Sequence, residues 1–131
     1  MPNLLCVSHE WNLGFEELRA LSSAGFRVIP SLNGFEAIKQ FASREISAVI
    51  VNRRLPDIEL CDLLAYFRHH EEDIPIVMLS AVMPLESVPT EVDAVIQKSS
   101  CAALVVPTLE VLRRDRRTRT AAARDGLVQA A

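Results

Sequence analysis

Ala48-Val49-Ile50-Val51-Asn52-Arg53-Arg54-Leu55-Pro56-Asp57 is an apolar run that stops at a polar residue and then turns. Small and β-branched residues in an unbroken row suit a strand covered on both faces, and the row delivers Asn52 to the strand's C-terminal end. In an open α/β sheet that end is where ligands and chemistry gather.

Working outward, the same pattern recurs on both sides. Ile74–Ala81 is a second apolar run, closing on Ser80-Ala81. Asp93–Lys98 is a third and ends in the second of two lysines. On the N-terminal side, Leu4-Leu5-Cys6-Val7 stops at Ser8-His9-Glu10, and Phe26–Ile29 is cut short by Pro30, which suits an edge strand. Between the runs, apolar residues fall at helical spacing. Trp11, Phe15, Leu18 and Leu21 form one face, with Gly25 as its stop. Ala37, Ile38 and Phe41 follow Asn33-Gly34, and Leu60, Leu63, Leu64 and Phe67 precede His69-His70. A last helix is predicted from about Ser100 to Arg114, bent near Pro107. Strands alternating with helices imply right-handed crossovers and a parallel sheet covered on both faces.

The chain has 131 residues, half of them apolar, which is enough for one core. No apolar run approaches the ~20 residues of a membrane span, and Met1-Pro2-Asn3 lacks a basic secretory start, so a cytoplasmic protein is expected. Cys6, Cys61 and Cys101 form no C-x-x-C pair and lie in apolar segments, which predicts buried free thiols. Charge is divided unevenly. Residues 1–112 hold 8 basic and 15 acidic side chains, whereas residues 113–131 hold 6 arginines and 2 aspartates. The division predicts a domain over residues 1–114 and a basic, alanine-rich tail over 115–131. That tail has no recognition-helix pattern and no aromatic interleaving, so it reads as a solvated segment rather than a nucleic-acid surface.

Leu4 to Glu10, Ala24-Gly25-Phe26, Asn33-Gly34, Leu55-Pro56-Asp57, Leu79-Ser80-Ala81 and Lys98 occur in an order and spacing that resemble the response regulator receiver (CheY-like) domain family. The resemblance spans residues 3–114 and implies a flavodoxin-like, doubly wound sheet of order 2-1-3-4-5. It also implies roles for particular positions. Asn52 stands where the family carries its phospho-accepting aspartate, and Ser8 and His9 stand where it carries the acid pair that holds magnesium. Ser80 and Lys98 match the hydroxyl and the lysine that contact the phosphoryl group. Val95 matches the switch aromatic.

An amide has no carboxylate to attack a phosphoryl group, and magnesium demands hard oxygen ligands. The resemblance therefore implies a pseudo-receiver with no metal or cofactor. Its place would be in two-component, phosphorelay-type signalling, acting through contacts with protein partners, a homodimer among them, and not as an enzyme. Adjacent Ser8 and His9 point to opposite sides and make no nucleophile-base pair. The alternative is a sensor of a small ligand or anion, using the crevice of Ser8, His9, Asn52, Ser80 and Lys98. Pro84 and Pro89 predict a shortened or irregular fourth helix between the last two strands, and with it a remodelled output face.

Overall fold

The computed structural model describes residues 1–8 and 15–130, with side chains described for all of these except Phe15 and residues 117–130. Five strands, β1 (Asn3–Val7), β2 (Arg27–Ser31), β3 (Ala48–Asn52), β4 (Ile76–Ser80) and β5 (Ala94–Gln97), form one sheet of order β2-β1-β3-β4-β5. Every neighbouring pair is parallel. This is the flavodoxin-like order that the sequence predicts. Pro30 lies in β2 at the sheet edge, where a residue without an N–H does least harm.

The apolar runs alternate between two cores, as successive strand residues must. Leu5, Val7, Val49, Val51, Ile76 and Met78 face α2 (Gly34–Ser43) and α3 (Leu60–His70), where they meet Ala37, Phe41, Leu63, Leu64 and Phe67. Leu4, Cys6, Ala48, Ile50, Val77, Leu79 and Ile96 face α1 (Phe15–Ser23) and α4 (Cys101–Ala130), where they meet Leu21, Cys101, Val105 and Leu109. All five residues of β3 and of β4 are buried, which is why their sequences do not alternate. Gly25 closes α1 at a φ of 93°, with Phe26 N donating to Leu21 O at 3.0 Å. The α1 pattern began at Trp11, which lies outside the described residues.

The C-terminal helix departs from expectation. It continues past the predicted end at Arg114 to Ala130, and Pro107 sits inside it on an exposed position. The alanines and arginines that made this segment read as a tail are good helix formers, so low apolarity does not end the helix. Arg116 reaches Glu71 at 3.4 Å, a long contact between two side chains that are both partly in water, where such a pair contributes little. Deleting residues 115–131 should therefore leave the melting temperature nearly unchanged in a calorimetric scan, and a fall of many degrees would show that the extension packs on the body.

Between β4 and β5 the departure goes further than the shortening the prolines predict. Residues 81–93 contain no helix, only bends, turns and irregular backbone. Leu85 and Val92 from this segment pack on the α2/α3-side core beside Val95, taking the cover a helix would give. Its far end is held by Arg68. The guanidinium donates to Glu91 O at 2.6 Å, Ile74 O at 2.6 Å and Glu72 O at 2.9 Å, and meets Asp93 Oδ2 at 2.9 Å. Asp93 Oδ2 also accepts from Ile76 N, at 2.8 Å, at the start of β4. Arg68→Met should lower stability by about 2 kcal/mol in urea titration, because partly buried carbonyls and a carboxylate lose their donor together.

Candidate functional site

The C-terminal edge of the sheet is where the strand ends gather. Val7 pairs with Val51 and Asn52 pairs with Leu79, so Ser8, Asn52 and Ser80 follow one another across β1, β3 and β4. Asn52 and Ser80 are almost wholly buried, and Ser8 nearly so. Arg53 N donates to Leu79 O at 3.0 Å, which carries the ladder one residue past Asn52 and fixes where the following loop starts.

Beside these residues opens a cleft of about 560 Å³, lined by Asn52, Arg53, Arg54, Leu55, Pro56, Leu79, Ser80, Ala81, Val82 and Lys98. Of the five crevice positions picked from sequence, the cleft unites Asn52, Ser80 and Lys98. Ser8 adjoins in register but is not among the described lining residues. His9 and Glu10 lie outside the described residues.

Ser80 Oγ donates to Val82 O at 2.8 Å and accepts from Val82 N at 3.3 Å, closing the first turn after β4. Lys98 follows β5 as the first residue of a single 3₁₀ turn, Lys98–Ser100, so the strand ends at Gln97, one position before the lysine on which the sequence ends it. Val95 is half-buried opposite Met78 in the ladder and packs on the core, an aliphatic side chain without a ring to swing.

Arg53 and Arg54 are the lining residues that the sequence reading did not single out as ligands. Both are exposed, and neither makes an ion pair among the described residues. The available signal was two consecutive arginines directly after the strand's polar end, in a body with few basic residues. Three cations and no carboxylate line the cleft among the described residues.

That donor set does not fit magnesium. A buried amide and a buried hydroxyl stand at the strand ends, flanked by guanidinium and ammonium groups, where a hard dication needs carboxylates. Among the described residues, no group of three or more His, Cys, Asp or Glu side chains could hold a metal ion.

The aspartate of the Leu-Pro-Asp turn has a different task. Asp57 accepts from Gly34 N at 2.8 Å and from Phe35 N at 2.9 Å, holding the N-terminus of α2. Asn33 caps the same helix by accepting from Glu36 N at 2.8 Å. What little desolvation Asp57 suffers pushes its carboxyl up, but the donated N–H groups of Phe35 and Gly34 outweigh it and hold the pKa below the ordinary value. The depressed folded-state value fixes the sign. The contribution is complete above the carboxyl's usual pKa and is lost as pH falls through the lower one. The stability difference between wild type and Asp57→Asn should thus be constant near neutrality and shrink in acid. A difference that grows on acidification would contradict this.

The cysteines offer no nucleophile here. Burial pushes the Cys6 thiol up, and burial with Glu17 nearby pushes Cys101 up to about 11, so both stay protonated at neutral pH. Cys61 corrects the expectation of three buried thiols, because it stands on the outer side of α3, away from Leu63, Leu64 and Phe67.

No family model and no curated protein sequence matches the chain. Solved structures do. The response regulator protein TrrA of Thermotoga maritima, in complex with Mg²⁺-BeF, superposes with a TM-score of 0.72 at 26% identity, over 86% of this chain and 99% of that one. The fold is that of response regulator receiver domains. A CheY-like receiver domain protein from Methanospirillum hungatei JF-1 gives a TM-score of 0.79 at 16% identity, covering 91% of this chain and 98% of its own. A sensor protein from Polaromonas sp. JS666 gives 0.75 at 22% identity, over 88% and 98%. Among the described residues, no helix is long and apolar enough to cross a membrane.

Proposed function

We propose that this chain is an atypical receiver in two-component signalling that works without phosphorylation. It acts in the cytoplasm, through contacts with protein partners and not by catalysis. The observation that carries this reading is Asn52, which is buried at the end of β3 with arginines and a lysine around the adjoining cleft. An amide there cannot become an acyl phosphate, and the cations lining the adjoining cleft do not attract the metal that such a transfer needs. The remodelled segment between β4 and β5 supports the same reading. It replaces a helix with bends and leaves Val82, Met83 and Val88 exposed, a surface on which a partner could bury apolar area.

Incubation with acetyl phosphate and magnesium, or with a phosphorylated histidine kinase, should leave the intact mass unchanged. A stable, magnesium-dependent gain of one phosphoryl group, abolished by Asn52→Ala, would overturn the proposal.

A further inference from the structure

Arg53 and Arg54 directly follow β3, Lys98 directly follows β5, and all three line the cleft. Their clustering is unexpected on an acidic body. Residues 1–112 hold only 8 basic side chains, and three of them line this cleft. Beside the cations the lining offers Leu55, Pro56, Leu79 and Val82, an apolar wall for an organic body. A volume of about 560 Å³ falls within the roughly 300–1,000 Å³ typical of small-molecule sites.

We propose that this cleft binds a small phosphorylated metabolite reversibly, with Arg53 and Arg54 as the principal anion ligands and Lys98 as a third cation of the same lining. The inference deepens the reading given above, since it rests on the strand-end site having lost its phospho-acceptor. Guanidinium groups match phosphate oxygens in a bidentate fork, and two in succession can grip more than one oxygen of a multiply charged group. Arg53 and Arg54 make no ion pair among the described residues, so binding need not first break one. Val82 is both part of the cleft wall and one of the exposed apolar residues of the helix-free segment. Ligand seated against it would therefore touch the surface proposed to meet a partner.

The test is titration calorimetry on the full chain with inorganic pyrophosphate as the probe. Wild type should bind, more weakly as salt is raised. The Arg53→Gln/Arg54→Gln variant should lose affinity about tenfold or more, as expected for two lost charge-assisted contacts. Both side chains are exposed, so its melting temperature without ligand should match wild type. The competing basic stretch on α4 is controlled by Arg116→Gln/Arg117→Gln/Arg119→Gln, which should bind as wild type does. No heat at millimolar pyrophosphate would overturn the proposal, and so would undiminished binding by the cleft variant or loss of binding in the α4 variant alone. Reversible binding leaves the denatured mass unchanged, so a covalent phosphoryl gain would strike the phosphorylation-independent reading and leave this one to the titration.

Discussion

Gly34→Val is expected to lower stability by about 3 kcal/mol or more, moving the melting midpoint down by roughly 10 °C for a domain of this size. The cause is space, not backbone conformation. A Cβ on Gly34 would run into Ile58 Cγ2, and it would also stand 3.3 Å from Asp57 Oδ1. Ile58 cannot step aside easily, because Cγ2 is bonded to its branched Cβ and moves only if the stiff χ1 rotates or the backbone shifts. A shift there would pull Asp57 away from Gly34 N and Phe35 N, so the first turn of α2 would lose its two donated hydrogen bonds as well. Gly34→Ala should show the same effect at smaller size. Thermal melts of both variants beside Asp57→Ala decide the matter. If valine costs no more than the loss of the cap alone, the close approach between Gly34 and Ile58 is not what the fold depends on.

This junction shows what could be read in the sequence. Asn33-Gly34 and Leu55-Pro56-Asp57 were each legible as turns, and the apolar runs between turns gave the strands, their parallel order and the covered central position of β3. What pairs the two turns is a contact across 23 residues, a carboxylate meeting the first amides of a helix, and no local pattern announces it. The segment between β4 and β5 was half legible for a similar reason. Pro84 and Pro89 argued against a regular helix, but the clamp that replaces one depends on Arg68 reaching Glu91, Ile74 and Asp93 at once. Individually Arg68, Glu91 and Asp93 look like ordinary surface charges, and Ile74 takes part only through its carbonyl. The last helix runs past the point where the charge composition changes, because helix propensity does not follow net charge.

At the strand ends the legible part was positional. Strand registers bring Ser8, Asn52 and Ser80 to one edge because each follows an apolar run, so their proximity could be foreseen from three separate stops. The character of the cleft could not. Whether consecutive side chains line the same cleft depends on how the chain leaves the sheet, and Arg53 and Arg54 both line it here. Their presence also changes the meaning of Asn52, which among the described residues stands beside a cationic surface.

The second large effect is a gain. Asn52→Asp alone should shift little with magnesium, because Ser8 supplies no charge and the neighbouring cations repel a dication. Asn52 is only 2% exposed, so the new carboxylate also pays a desolvation cost that Arg53, Arg54 and Lys98 only partly offset. Adding Ser8→Asp and His9→Asp should change the sign of the local field. If the receiver resemblance holds at position 9, three carboxylates would stand close together and repel one another without metal, which raises their pKa values and destabilises the fold. Magnesium relieves that repulsion and binds only the folded state, a stabilisation of about 2.7 kcal/mol when its concentration is 100 times the dissociation constant. The triple variant should therefore melt roughly 10 °C higher in magnesium than in chelator, the single variant by little, and the wild type not at all. If wild type shifted as far as the triple variant, the present side chains would already hold the ion, and the account of the cleft as a cationic site would fail at its first step.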